Sequence, residues 1–68
     1  MNGTEFIRRA KHHARRHGLG FLFVPARGKG SHGFLYIGRH RTVVKHGELS
    51  KGMLTGMLKQ LGIGKKEF

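Results

Sequence analysis

Glycine cuts this chain into short pieces, and the cuts constrain its fold more than any other feature. Of the 68 residues, 12 are glycine and one is proline. Gly18, the stretch from Pro25 to Gly30, Gly38, Gly47 and Gly62 separate runs that each have their own hydrophobic period. Glycine ends helices in the left-handed conformation and permits tight turns between strands. Each run therefore reads as one short element.

The runs differ in type. Residues 4–17 place Phe6, Ile7, Ala10, Ala14 and His17 on one arc at about 100° per residue. Arg8, Arg9, Lys11, His12, Arg15 and Arg16 fall on the other arc. This is a helix with Thr4 as N-cap, Glu5 at the positive end of the dipole and Gly18 as C-cap. Its two small alanines predict close packing on what lies beneath. Residues 19–24 form an apolar, phenylalanine-rich first strand, followed by a turn carrying Arg27 and Lys29. In a second strand over residues 31–37, His32, Phe34 and Tyr36 share one face and Leu35 and Ile37 the other. Gly38, Arg39 and His40 make a tight connection to a third strand over residues 41–46, built on Thr42, Val43 and Val44.

A second helix runs from its cap at Ser50 to Leu61, with Met53, Leu54, Met57, Leu58 and Leu61 as its apolar stripe. Thr55, Lys59 and Gln60 face outward. Gly52 and Gly56 weaken this helix, which predicts close packing there as compensation. Gly62 and Ile63 close it, and residues 64–68 read as a frayed basic tail. The order α-β-β-β-α predicts one α+β domain over residues 1–68, with its core at about 4–63. Short connections make the sheet a three-stranded antiparallel meander with two helices on one face. Double-stranded-RNA-binding domains have the same order of elements.

Charge selects the partner class. Fourteen Lys and Arg stand against three acids, for a formal net charge of +11. A small domain this basic attracts polyanions, nucleic acid foremost. Glu5, Glu48 and Glu67 are too few for paired-carboxylate catalysis or a carboxylate-rich Mg²⁺ site. The absence of cysteine excludes disulfides, thiolate nucleophiles and Cys-type zinc sites. His13 and His17 are spaced i, i+4 on the first helix, but their neighbours are arginines, so no metal or other cofactor is expected. No apolar run approaches the roughly 20 residues of a membrane span, and no apolar signal segment follows the basic start. The expectation is a cytoplasmic protein with no membrane partner, monomeric when free.

One stretch carries the chemistry. From Gly28 to Ile37 a glycine-rich basic turn runs into a strand, with His32 near the junction. The backbone N–H groups of Gly28 to Gly30, with Lys29, suit phosphate oxygens. His32 is of the residue type that trades a proton near neutral pH. RNA supplies its own nucleophile, the 2′-hydroxyl, so cleavage needs a base, charge stabilisation and an acid, and no metal. His46, His40 and Tyr36 are all candidates for the second proton-transfer group. Arg27, Lys29, Gly30, Ser31, Arg39, Arg41 and Lys45 are expected to contact RNA, with their cations gathered at one end of the sheet. Phe34 and Tyr36 either stack bases or pack inside, and at least one is expected in the core.

Two segments resemble a known family. The first is Gly30-Ser31-His32, opening the second strand. The second is His46, then Glu48-Leu49-Ser50-Lys51-Gly52-Met53-Leu54, then Leu58-Lys59-Gln60-Leu61-Gly62-Ile63. Together they are similar to the HicA toxins, the mRNA-cleaving half of a type II toxin–antitoxin system, over roughly residues 4–63. The resemblance implies a double-stranded-RNA-binding-like fold and metal-independent endoribonuclease activity on mRNA. It also implies His32 as the essential catalytic residue and neutralisation by a HicB-type antitoxin. A non-catalytic double-stranded-RNA-binding module is the alternative, with the same basic faces and no essential histidine. A third reading is a DNA-binding or ribosome-associated basic protein, and the strand-rich middle and the lack of an evident recognition helix count against DNA.

Overall fold

A computed structural model describes residues 1–25, 32–45 and 47–68, with His32 described by its backbone alone. The elements are α1 (Gly3–Arg16), β1 (Phe21–Pro25), β2 (His32–Ile37), β3 (His40–Lys45) and α2 (Lys51–Leu61). The sheet is antiparallel in the order β1-β2-β3. The predicted α-β-β-β-α architecture is therefore the one observed.

Helix α1 starts earlier than the sequence predicts. Asn2, not Thr4, is its N-cap, and its side chain accepts the Glu5 N–H at 2.8 Å. Backbone bonds fasten this end to the segment after β3: Gly3 donates to Gly47 at 2.9 Å, and Leu49 donates to Met1 at 2.9 Å. Gly3 lies so close to β3 that a Cβ there would collide with the Lys45 carbonyl oxygen. At the other end His17 is the cap, and Gly18 takes φ +65°.

The core lies between the helices and one face of the sheet. Phe6, Ala10 and Ala14 of α1 meet Leu35, Ile37 and Val44 of the sheet and Met57, Leu58 and Leu61 of α2. The predicted close approach at the alanines is present, since both are fully buried. Thr42 is also buried, and its hydroxyl donates to Gln60 Oε1 at 2.6 Å, fastening α2 to β3. Gln60, expected to face only solvent, thus makes a tertiary bond.

The opposite face of the sheet is open. Leu22, Val24, Phe34 and Val43 are exposed at 57, 41, 42 and 45 %. They form a contiguous apolar strip, because Val24 pairs with Phe34 and Phe34 with Val43. Neither Phe34 nor the half-buried Tyr36 belongs to the core, contrary to expectation. Both faces of β2 are apolar, so alternation alone did not say which one the helices cover.

Helix α2 begins and ends as predicted. Ser50 accepts the Met53 N–H at 3.2 Å, and Gly62 at φ +71° turns the chain so that Ile63 donates to Leu58 at 2.9 Å. Its glycines are another matter. A Cβ at Gly52 or Gly56 would meet nothing within 4 Å, so no close packing compensates for them.

The last residues do not fray. Phe68 lies against Phe6 with ring centroids 4.9 Å apart, and the Arg9 guanidinium stacks over Phe68 at 5.1 Å. Arg9 also donates to the Phe68 backbone oxygen at 2.6 Å. Among the described residues, no helix is long and apolar enough to cross a membrane.

Candidate nucleic-acid interface

His32 is the first residue of the central strand, and its backbone pairs with Lys45 of β3. Pro25 pairs with Gly33, so both ends of the intervening segment lie at this end of the sheet. Arg27, Lys29, Gly30 and Ser31, together with His46, lie outside the described residues. The phosphate-binding role of this turn is therefore an expectation from sequence alone. Gly33 has a clear local reason: a Cβ there would lie 2.5 Å from the Phe23 ring and 3.2 Å from the Val24 carbonyl oxygen.

The remaining cations do not gather at the His32 end. The turn of Gly38 and Arg39 joins β2 to β3 at the far end, opened by Gly38 at φ +58°. At about 3.3 Å per residue, β2 separates His32 from that turn by roughly 17 Å. Arg39 sits in the far turn, and Arg41 pairs with Tyr36 next to it. Only Lys45, among the described cations, stands opposite His32. The chain reverses at the hairpin, so residues close in sequence are carried to opposite ends.

The same geometry separates two of the three candidate proton-transfer groups from His32. His40 pairs with Ile37 at the far end and lies against Gly62, where an added Cβ would be 3.2 Å from its Nε2. Tyr36 is about 13 Å along β2 from His32. Neither shares a site with a group at the start of β2. His46, the third candidate, lies outside the described residues.

On the open face, Arg41, Val43 and Lys45 are exposed along β3 beside Phe34 and Tyr36 of β2. The Arg41 guanidinium lies 5.8 Å from the Phe34 ring centroid. Cations at both ends of an aromatic and aliphatic strip suit a strand whose phosphates follow β3 and whose bases lie over Phe34 and Tyr36. A second cationic surface is the outer side of α1, where Arg8, Arg9, Lys11, His12, Arg15 and Arg16 are all exposed. Among the described residues none of these side chains forms an ion pair with a carboxylate.

Of the α1 histidines, His12 is exposed as expected, but the packed one is His13 and not His17. His13 is 8 % exposed, whereas His17, placed by periodicity on the packed arc, is exposed. Burial holds the His13 pKa below its usual value, and the neighbouring His17 and Arg16 act in the same direction. The Glu67 carboxylate and backbone carbonyl oppose them. The i, i+4 spacing of His13 and His17 was visible in the sequence, but the arrival of Glu67 beside them was not. Docking of Phe68 on α1 brings it there.

Compared with protein-family models, with curated protein sequences and with solved structures, the chain shows no match.

Proposed function

We propose that this protein is a HicA-type toxin, a metal-independent endoribonuclease that cleaves mRNA. The observation that carries this reading is the coincidence of element order with motif position. His32 of the Gly30-Ser31-His32 motif opens the central strand of an α-β-β-β-α domain, as the resemblance implies for a double-stranded-RNA-binding-like fold. The +11 charge supplies attraction for RNA. In this mechanism His32 serves as general acid or base at the 2′-hydroxyl or the leaving oxygen, with His46 as the complementary group. Lys45, opposite His32, and the turn containing Arg27, Lys29, Gly30 and Ser31 bind the phosphates. Arg41 and Arg39 contact RNA farther along β3. A HicB-type antitoxin is the protein partner, and exposed apolar residues such as those on the open sheet face are of the kind that protein partners cover.

The test is an RNA cleavage assay with purified protein in EDTA, wild type beside His32→Ala. The reading predicts cleavage by the wild type and loss of at least about 100-fold in the variant, the contribution of one general acid or base. RNA affinity should fall little. Equal rates for the two proteins would end the catalytic assignment.

One observation favours a second reading. The cations along the outer side of α1 are exposed, and such a surface can attract RNA by charge with no histidine chemistry. A non-catalytic double-stranded-RNA-binding module would use that surface, and binding by both proteins with cleavage by neither would select it.

A further inference from the structure

We infer that His13, His17 and Glu67 form a binding site for a divalent transition-metal ion of the zinc type, one that clips the end of the chain onto α1. The inference is independent of the proposed ribonuclease activity, because these residues share no element with His32.

The geometry comes from two parts of the chain. On α1, residues four apart project from the same side of the helix. The His13 and His17 rings accordingly lie with centroids 4.3 Å apart and planes inclined by 34°. The third group arrives from the C-terminal segment, where the Glu67 N–H donates to the Gly64 carbonyl at 3.0 Å and Phe68 anchors on Phe6 and Arg9. The result is two imidazoles and one carboxylate whose ligand atoms all lie within 4.8 Å of one another. A tetrahedral zinc ion with bonds of about 2.0–2.1 Å needs its ligand atoms roughly 3.4 Å apart. Small rotations of the exposed His17 and Glu67 side chains close that difference while His13 stays fixed by its packing.

The donor set identifies the ion. Imidazole nitrogen with one carboxylate oxygen suits zinc and its neighbours in the transition series, whereas calcium and magnesium require mostly oxygen ligands. Three protein ligands leave a fourth position for water. The Glu67 backbone carbonyl beside His13 is the kind of second contact that orients a ligating imidazole.

The surroundings give the site a signature. Arg9, Arg16, Lys65 and Lys66 lie on or beside the elements that carry the ligands, and they repel any cation. Added salt screens that repulsion. Zinc binding here should therefore tighten as salt is raised, whereas binding to a bare carboxylate cluster weakens.

The experiment is calorimetric titration of the full chain with zinc ion, for wild type, His17→Ala, Glu67→Gln and His12→Ala, at low and moderate salt. Because His17 and Glu67 are exposed, their substitution leaves the fold intact. The expected result is one ion per chain, affinity reduced about tenfold or more in His17→Ala and in Glu67→Gln, and no change in His12→Ala. Wild-type binding weaker than about 1 mM would overturn the site. So would undiminished affinity in either of the two ligand variants, which would place the ion elsewhere among the chain's histidines.

Discussion

The two helices use small residues for opposite reasons. In α1, Gly3, Ala10 and Ala14 are buried, and each lets the helix come close to what lies beneath it. In α2, Gly52 and Gly56 face open space and bring nothing closer. Residues of nearly the same size thus mark a contact without slack in one helix and an unused gap in the other. Composition does not separate the two cases; only the position of each residue around its helix, relative to the sheet, does so.

The same substitution should have opposite signs in the two helices. Gly3→Ala puts a methyl group against the Lys45 carbonyl oxygen, a backbone atom that no rotamer change can move. It should destabilise the domain by about 1–3 kcal/mol, the usual range for overpacking, read as a lower urea midpoint. A neutral result would mean that α1 has slack at its start and would break the contrast. Gly52→Ala and Gly56→Ala should each stabilise by up to about 1 kcal/mol, the difference in helix propensity. At about 4–8 °C per kcal/mol for a domain of this size, that rise is measurable by thermal melting. A fall in melting temperature for either variant would show that the glycine has a packing role after all.

The smallest effect sharpens the contrast through pH. His13 is the buried titratable group of α1, facing His17 and Arg16 on its own helix and Glu67 from the docked end of the chain. Helix α2 buries only Met57, Leu58 and Leu61. Because the folded-state pKa of His13 is lowered, the unfolded chain takes up the proton first as pH falls. The stability is present above about pH 6.5 and is lost as pH falls through that value toward the folded pKa. His17→Ala removes one cause of the lowering and should make the loss smaller. Amide exchange between about pH 7.5 and 5.5, corrected for intrinsic rates, should show protection falling in α1 before α2. Equal loss in both helices would mean that His13 does not govern the acid response.

Much of the fold was legible because punctuation in this sequence is dense. The breaks at Gly18, Gly38 and Gly62 each coincide with a positive φ just beyond a helix or inside a turn, and Ser50 caps α2 as read. The start of α1 is ambiguous in the sequence because Asn2 and Thr4 are both capping residues. The choice between them depends on backbone bonds to Gly47 and Leu49, which are distant in sequence. The covered face of β2 was illegible because Gly33, Leu35 and Ile37 alternate with Phe34 and Tyr36, giving two apolar sides. Of the site, the order of elements around His32 could be read, but the spread of Arg39 and Arg41 to the far end could not. Proximity in sequence is not proximity in space across a hairpin that reverses the chain. Likewise Lys65 and Lys66 made the last segment look solvated, while Phe68 supplied the contact that docks it.

The open sheet face has a colloidal consequence. Leu22, Val24, Phe34 and Val43 give every molecule an adhesive side, and the +11 charge is what holds copies apart in dilute salt. At about 1 M salt the reach of that repulsion shrinks to roughly 3 Å, shorter than the approach two such faces need to touch. A polyanion that neutralises the charge removes the same barrier. Turbidity that rises at high salt and near charge equivalence with a polyanion is the behaviour this strip predicts.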